Sequence, residues 1–283
     1  MQKLTDCYEL YNGVKIPCIG YGTWKTPDSA AEKAVLDALK IGYRHIDTAA
    51  IYGNEQSVGR AIAGSGVHRS DIFLTSKLWN HDQGYENTLK AFHESLKKLQ
   101  TDYLDLYLIH WPIVKGHEHD WQIMILETWQ AFEKLYQEKY IRAVGVSNFM
   151  IRHLRPLLDH CRIAPMVDQI ELHPGLNHVD TVEFAHKNNI VVEGWSPLAH
   201  GDIFRMPELQ RMSEKYSKSI AQICLRWALQ KQILPLPKSV KPDRIKENAL
   251  IFDFALSDGD MELLNELPQV LDTLGADPDK SIY

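Results

Sequence analysis

The sequence predicts an α/β protein built as one (β/α)8 barrel across residues 1–283, and three observations carry that expectation. Eight short apolar runs alternate with longer amphipathic stretches, the order that yields a parallel sheet covered by helices. No linker, low-complexity segment or break in composition divides the chain. Its length also suits a single closed barrel, which takes about 250 residues.

The chain opens on a hairpin. Tyr8-Glu9-Leu10-Tyr11 and Val14-Lys15-Ile16 flank Asn12-Gly13, a dipeptide suited to a type I′ turn because both central residues can take positive φ. Barrel strands are then expected at Cys18–Gly22, Tyr43–Asp47, Ile72–Ser76, Leu104–His110, Ala143–Ser147, Met166–Ile170, Val191–Trp195 and Ile233–Leu236. Helical periodicity marks Ser29–Ile41, Tyr85–Leu99, Ile125–Glu138, Val179–Asn188 and Ser219–Lys231 between them. Asp28 or Ser29 is the candidate cap of the first helix and Ser219 that of the last. A doubly wound open sheet is the competing architecture, and it usually carries a three-glycine dinucleotide fingerprint. Gly20-Tyr21-Gly22-Thr23-Trp24-Lys25 has two glycines and lacks the third, and no Walker phosphate loop is present.

Composition removes several function classes. Hydrophobic residues make up 45% and charged residues 24%, so the chain is not a disordered one. A net charge of -6 supplies no basic surface for nucleic acid or anionic lipid. No apolar run approaches the roughly 20 residues that span a bilayer, and Met1–Asp6 lacks the apolar core of a secretion signal. Cys7, Cys18, Cys161 and Cys224 form no C-x-x-C pair, which fits reduced, mostly buried thiols in a reducing, cytoplasmic setting.

Barrels of this kind carry their chemistry at the C-terminal ends of the strands. Here the second strand ends on Asp47, the third runs into Lys77 and the fourth ends on His110. A lone charged residue at a strand end is usually a surface group. Three on consecutive strands converge, and a buried lysine needs a partner charge, which Asp47 can supply. Positive charge beside Tyr52 is expected to lower its phenol below the usual value of about 10 and make it a general acid. His117-Glu118-His119-Asp120 lies on a loop without the i, i+4 spacing of a helical zinc motif, and reads as solvated, with no metal bound.

Gly42-Tyr43-Arg44-His45-Ile46-Asp47-Thr48-Ala49, Tyr52-Gly53-Asn54-Glu55, Lys77, Leu108-Ile109-His110-Trp111-Pro112, Gly145-Val146-Ser147-Asn148-Phe149 and Pro237-Lys238-Ser239 together resemble the aldo-keto reductase superfamily, in its order and spacing to about Asn248. The likeness is greatest to the short bacterial members that reduce dicarbonyls, aldehydes and keto-sugars. The resemblance implies that the hairpin closes the bottom of the barrel and that the C-terminal tail lies near the active site. It also implies an NADPH-dependent monomer in which Tyr52 donates a proton, Lys77 and Asp47 tune it, and His110 orients the carbonyl.

For the cofactor, the resemblance assigns Lys238, Ser239 and Arg244 to the 2′-phosphate and Glu247 and Asn248 to the adenine. The segment from Lys238 through Val240 to Asn248 also suits a phosphate by itself, with cations and hydroxyls beside a helix start. Ser147, Asn148 and Gln169 correspond to the carboxamide contacts. Trp195 stands where many relatives carry a stacking tyrosine, with Ser196, Pro197 and Leu198 continuing along the pyrophosphate. Gly22, Thr23, Trp24 and Asp47 border the same cleft. Trp24, Trp79 and Trp111, each after a strand end, are expected to wall a substrate pocket with Tyr52 and His110. The loop Val114–Trp121 and the tail after about Leu267 complete it.

Two other classes remain open. A metal-dependent barrel hydrolase could use the same Asp, Lys and His, and would lose activity to a chelator. A non-catalytic NADPH-binding regulatory barrel would bind the cofactor without turning it over.

Overall fold

The computed structural model describes residues 1–268 and 278–279. Its first element is the hairpin of β1 (Cys7–Glu9) and β2 (Lys15–Pro17), paired through Tyr8 and Ile16. The turn is not type I′. Of Asn12 and Gly13 only the glycine has positive φ, 83°. Gly13 N–H donates to Leu10 O at 2.8 Å and Leu10 N–H to Val14 O at 2.9 Å, a three-residue loop ending in a left-handed glycine. Asn12 is recruited elsewhere: its amide donates to Arg142 O and to the Tyr136 hydroxyl. Those bonds, with Tyr11 OH on Ala164 O, seat the hairpin against the N-terminal ends of two barrel strands, the end expected for it.

Eight parallel strands follow in chain order around one sheet: β3 (Tyr21–Gly22), β4 (His45–Asp47), β5 (Phe73–Leu78), β6 (Leu104–Ile109), β7 (Ile141–Ser147), β8 (Val167–Glu171), β9 (Val191–Trp195) and β10 (Ile233–Pro235). The first and last meet through Gly20 N–H on Pro235 O and Gly22 N–H on Pro237 O, both 3.1 Å, which closes the sheet on itself. Packing at that seam is close and suits glycine. A Cβ on Gly20 would stand 2.4 Å from Leu236 Cδ2 and 2.7 Å from His45 Nδ1.

Two strand ends differ from expectation in ways that matter. Cys18 belongs with the hairpin, its N–H donating to Asp6 O, so β3 is far shorter than Cys18–Gly22. The third barrel strand continues through Lys77 to Leu78, which puts Lys77 inside the barrel wall rather than on the loop beyond it.

The helical layer comprises α1 (Asp28–Ile41), α2 (Glu55–Gly64), α3 (Tyr85–Leu99), α4 (Trp121–Gln137), α5 (Ile151–His160), α6 (Val179–Lys187), α7 (Pro207–Tyr216), α8 (Ile220–Gln230), α9 (Pro242–Ala249) and α10 (Asp258–Asn265). Ser219 caps α8 in a reciprocal box with Gln222. Asp28 does not cap α1. It is the first helical residue, and its carboxylate accepts from Ser57 Oγ at 2.6 Å, which ties α1 to α2. Between helices and wall, Tyr107 stacks on Phe132 at 4.8 Å and Phe132 on Trp129 at 5.6 Å, all buried. Each such ring contributes about 1.5–3 kcal/mol by burial.

No helix among the described residues is long and apolar enough to cross a membrane. The four cysteines are free thiols, with Cys18 and Cys224 buried, Cys161 half-buried and Cys7 exposed. The tail expected to reach the cleft lies outside the described residues except for Pro268, Pro278 and Asp279. Asp279 pairs with Arg152 and with His153, the latter at 3.3 Å, at the start of α5.

Candidate active site

The C-terminal ends of β4, β5 and β6 bring Asp47, Lys77 and His110 together. Lys77 has no exposure, so its ammonium must be satisfied internally. It donates to Asp47 Oδ1 and Oδ2 at 2.6 and 2.8 Å and to Thr48 O at 3.0 Å, with Tyr52 OH 3.4 Å away. Burial pulls Lys77 down, but Asp47, with Tyr52 and Glu193, outweighs it and the net displacement is upward, so the lysine stays charged.

Tyr52 reaches this pair from a single 3-10 turn, Ala50–Tyr52. Gly53, at φ 69°, ends that turn in the left-handed conformation glycine adopts without strain. Asn54 then locks the loop. Its amide donates to Thr23 O and Thr26 O, and its oxygen accepts from Thr48 Oγ1. Thr23 in turn donates through Oγ1 to Asp47 O at 2.9 Å.

The acidity expected of Tyr52 is corrected by its surroundings. Burial pushes the phenol up to about 12 despite the opposing pull of Lys77, and Asp47 adds to the rise. The lysine's charge is largely balanced by the carboxylate bound to it, so its effect on the phenol is too weak to offset desolvation. Tyr52 therefore keeps its proton throughout the neutral range. His110 is also displaced: burial, then the Lys77 charge, lowers its imidazole well below the usual value, so the ring is neutral.

Aromatic rings surround His110, with Tyr52 edge-on at 5.7 Å, Trp79 edge-on at 5.3 Å and Trp111 parallel at 6.4 Å. Trp24 lies apart from these contacts, against Trp195 at 6.3 Å and His200 at 5.0 Å. Sequence reasoning passed over His200. It sits on the turn after β9, where Ser196, Ala199 and His200 all have positive φ without being glycine, a cost of about 1–2 kcal/mol each.

The expected carboxamide residues are linked to one another. Asn148, left-handed at φ 64°, donates to His110 O at 2.9 Å and accepts from Trp195 Nε1 at 2.9 Å. The indole at position 195 is thus pinned by a bond that a tyrosine ring could not make from the same atom. Ser147 Oγ donates to Gln169 O. Gln169 Nε2 donates to Asp47 Oδ2 at 2.9 Å and to Glu193 Oε2 at 2.7 Å. Glu193 was also missed, although a glutamate inside Val191-Val192-Glu193-Gly194-Trp195 is a legible anomaly in a buried strand.

After β10 the chain turns outward. Pro197 is buried and Leu198 half-buried, whereas Lys238, Val240 and Arg244 are exposed and Ser239 half-buried. Ser239 Oγ accepts from Lys241 N–H, and α9 follows with Pro242 at its first position. Lys238, Lys241 and Arg244 around that start form a cationic set suited to a phosphate dianion. Asn248 is buried on the same helix and Glu247 half-buried. His117 is hydrogen-bonded to Asp120 on the loop leading into α4.

The chain's likeness to known proteins is consistent along its length. The sequence pattern of the Aldo/keto reductase family matches residues 18–269. Glyoxal reductase of Bacillus subtilis is 47% identical over 281 residues, 99% of each chain. Methylglyoxal reductase DkgA of Yersinia pestis is 42% identical over 273 residues, covering 96% of this chain and 95% of the relative. The structure of a Bombyx mori aldo-keto reductase in complex with NADP superposes with a TM-score of 0.87 at 34% identity, over 96% of both chains.

Proposed function

The chain belongs to the aldo/keto reductase family, and from that premise we propose that it is an NADPH-dependent reductase of small reactive carbonyls, dicarbonyls above all, with Tyr52 as the proton donor. One observation carries this reading: a buried, charged Lys77 held on Asp47 with the Tyr52 hydroxyl 3.4 Å from its nitrogen. Bound NADPH supplies the hydride that adds to the carbonyl carbon. The protein's own part is to hold the acceptor, stabilise charge on its oxygen and deliver a proton.

Tyr52 fits that last task because it arrives protonated. An alkoxide is a far stronger base than a phenolate, so transfer from a phenol at about 12 still runs downhill. Lys77 then faces the phenolate as it forms, and Asp47 keeps the lysine aimed at it. Neutral His110 donates a hydrogen bond to the carbonyl oxygen, a contribution that grows as charge develops there. The rings of Trp79 and Trp111 keep bulk water from the reacting atoms, and Trp24 borders the cleft on the side of Trp195.

Lys238, Ser239 and Arg244 would hold the 2′-phosphate of the cofactor, and Glu247 and Asn248 its adenine. Ser196, Pro197 and Leu198, bordered by Gly22 and Thr23, would hold the pyrophosphate. Trp195, fixed by Asn148, would offer its ring to the nicotinamide. Asn148, Ser147 and Gln169 would hold the carboxamide, Gln169 through its oxygen, since its nitrogen is committed to Asp47 and Glu193.

The test is an absorbance assay of NADPH and NADH consumption with glyoxal, methylglyoxal, keto-sugars and simple aldehydes, with and without a chelator. Carbonyl-dependent NADPH oxidation indifferent to chelator is expected. NADPH binding without turnover would favour a regulatory barrel, and loss of activity to chelator a metal enzyme.

A further inference from the structure

The barrel interior beneath the Asp47–Lys77 pair holds a second carboxyl group for which the reaction above has no use. Glu193, at the centre of β9, has no exposure. Gln169 Nε2 lies 2.7 Å from its Oε2 and 2.9 Å from Asp47 Oδ2. Both hydrogens of that amide are committed, so the two carboxyl groups face each other across a single NH2. Among the described residues the buried Glu193 Oε1 has no hydrogen-bond partner, and His45 Nε2, at 3.7 Å, is beyond bonding reach. A carboxylate held by one hydrogen bond in so dry a place costs far more than the neutral acid does.

The groups that face Glu193 are His45 and Asp47 from β4, Lys77 from β5 and Gln169 from β8. β10 offers only Ile233, Leu234 and Pro235. Burial, reinforced by Asp47, pushes Glu193 up to about 8. Burial drives His45 down to about 3 and lowers His110, while Tyr52 stands at about 12 and Lys77 is raised. Of these displaced groups, Glu193 is the one that gains a charge between pH 7 and 9.

We propose that Glu193 is a positioning residue for the reductase site: as a neutral acid it holds the Gln169 amide on Asp47, and its ionisation sets a second buried negative charge beside Lys77 that makes Tyr52 a weaker proton donor. The inference rests on the carbonyl-reductase reading. Its sign follows from electrostatics. Negative charge near Tyr52 opposes phenolate, so reduction slows as Glu193 ionises. The raised acid also costs the fold stability as pH rises, because the unfolded chain releases this proton first. A carboxyl whose folded value is raised contributes stability that is complete below its ordinary range and lost as pH rises toward about 8.

The experiment is kcat for methylglyoxal and NADPH from about pH 6 to about pH 9.5 in the wild type, Glu193→Gln and Glu193→Asp, with Tm measured over the same range. The wild type is expected to lose roughly three- to tenfold in kcat across that range, Glu193→Gln less than about twofold, and Glu193→Asp to keep the wild-type fall. The Tm advantage of Glu193→Gln over the wild type widens from about pH 6 to about pH 8 and is level above it, a readout independent of turnover. An alkaline limb in Glu193→Gln that matches the wild type, or a Tm difference constant with pH, overturns the positioning role alone. A wild type that consumes no NADPH with any carbonyl overturns the reading of function and this role with it.

Discussion

The groups at the ends of β4, β5 and β6 are held differently from those after β10. Lys77 is fully buried, with three oxygen contacts at 3.0 Å or less, and Asp47 is shared between it and Gln169. Lys238 and Arg244 are exposed, and Lys238 Nζ reaches Lys25 O at 3.1 Å. The first arrangement fixes charge before the substrate arrives, in a medium where electrostatic effects are large. The second keeps cations in water, where they meet a phosphate at little desolvation cost. Proton transfer demands the first, since acidity depends on small changes in a low dielectric. Recognition of a dianion is served by the second.

The contrast can be broken experimentally from its stronger side downward. Tyr52→Phe keeps the ring and removes the proton, and is expected to lower kcat by roughly 10²–10⁴-fold with NADPH affinity retained. Fluorescence titration of NADPH beside turnover checks both, and near-wild-type turnover would sink the acid assignment. Lys77→Met leaves Asp47 buried without its cation, at a cost of about 3–5 kcal/mol in stability. Urea unfolding measures this, and an unchanged midpoint would show that the pair is not held as tightly as its geometry implies.

On the exposed side the effects should be smaller and confined to binding. Arg244→Ala is expected to raise KM for NADPH about tenfold with kcat little changed and KM for NADH unaffected. An unchanged KM for NADPH would move the phosphate grip elsewhere. Trp195→Phe retains an aromatic face and loses the bond to Asn148 Oδ1. A rise in cofactor Kd of a few-fold, on the order of 1 kcal/mol, is the expected outcome. An unchanged Kd would mean that stacking alone fixes that ring.

Much of this was legible before the fold was seen, for identifiable reasons. Val191–Trp195 is a strand in sequence and in space because its apolar run is bounded by Asn188-Asn189 and Ser196-Pro197. Ser219 declares a helix start through a contact three residues long. The turn at Asn12-Gly13 deceived, because the geometry Asn12 takes depends on Tyr136 and Arg142, more than a hundred residues away. Helix α5 carries Pro156 in its interior, and its local signal is correspondingly weak.

What the sequence determined by itself was the alternation of strands and helices and the placing of Asp47, Lys77 and His110 where a barrel brings its strand ends together. Those follow from periodicity and spacing, which are local properties. The tertiary structure decided the directions of acidity. Tyr52 rises rather than falls because burial, together with the balancing of Lys77 by Asp47, depends on what the fold packs around the phenol. It also decided that Glu193 stands one amide away from Asp47, a neighbour separated from it by most of the chain and joined to it only by closing the barrel.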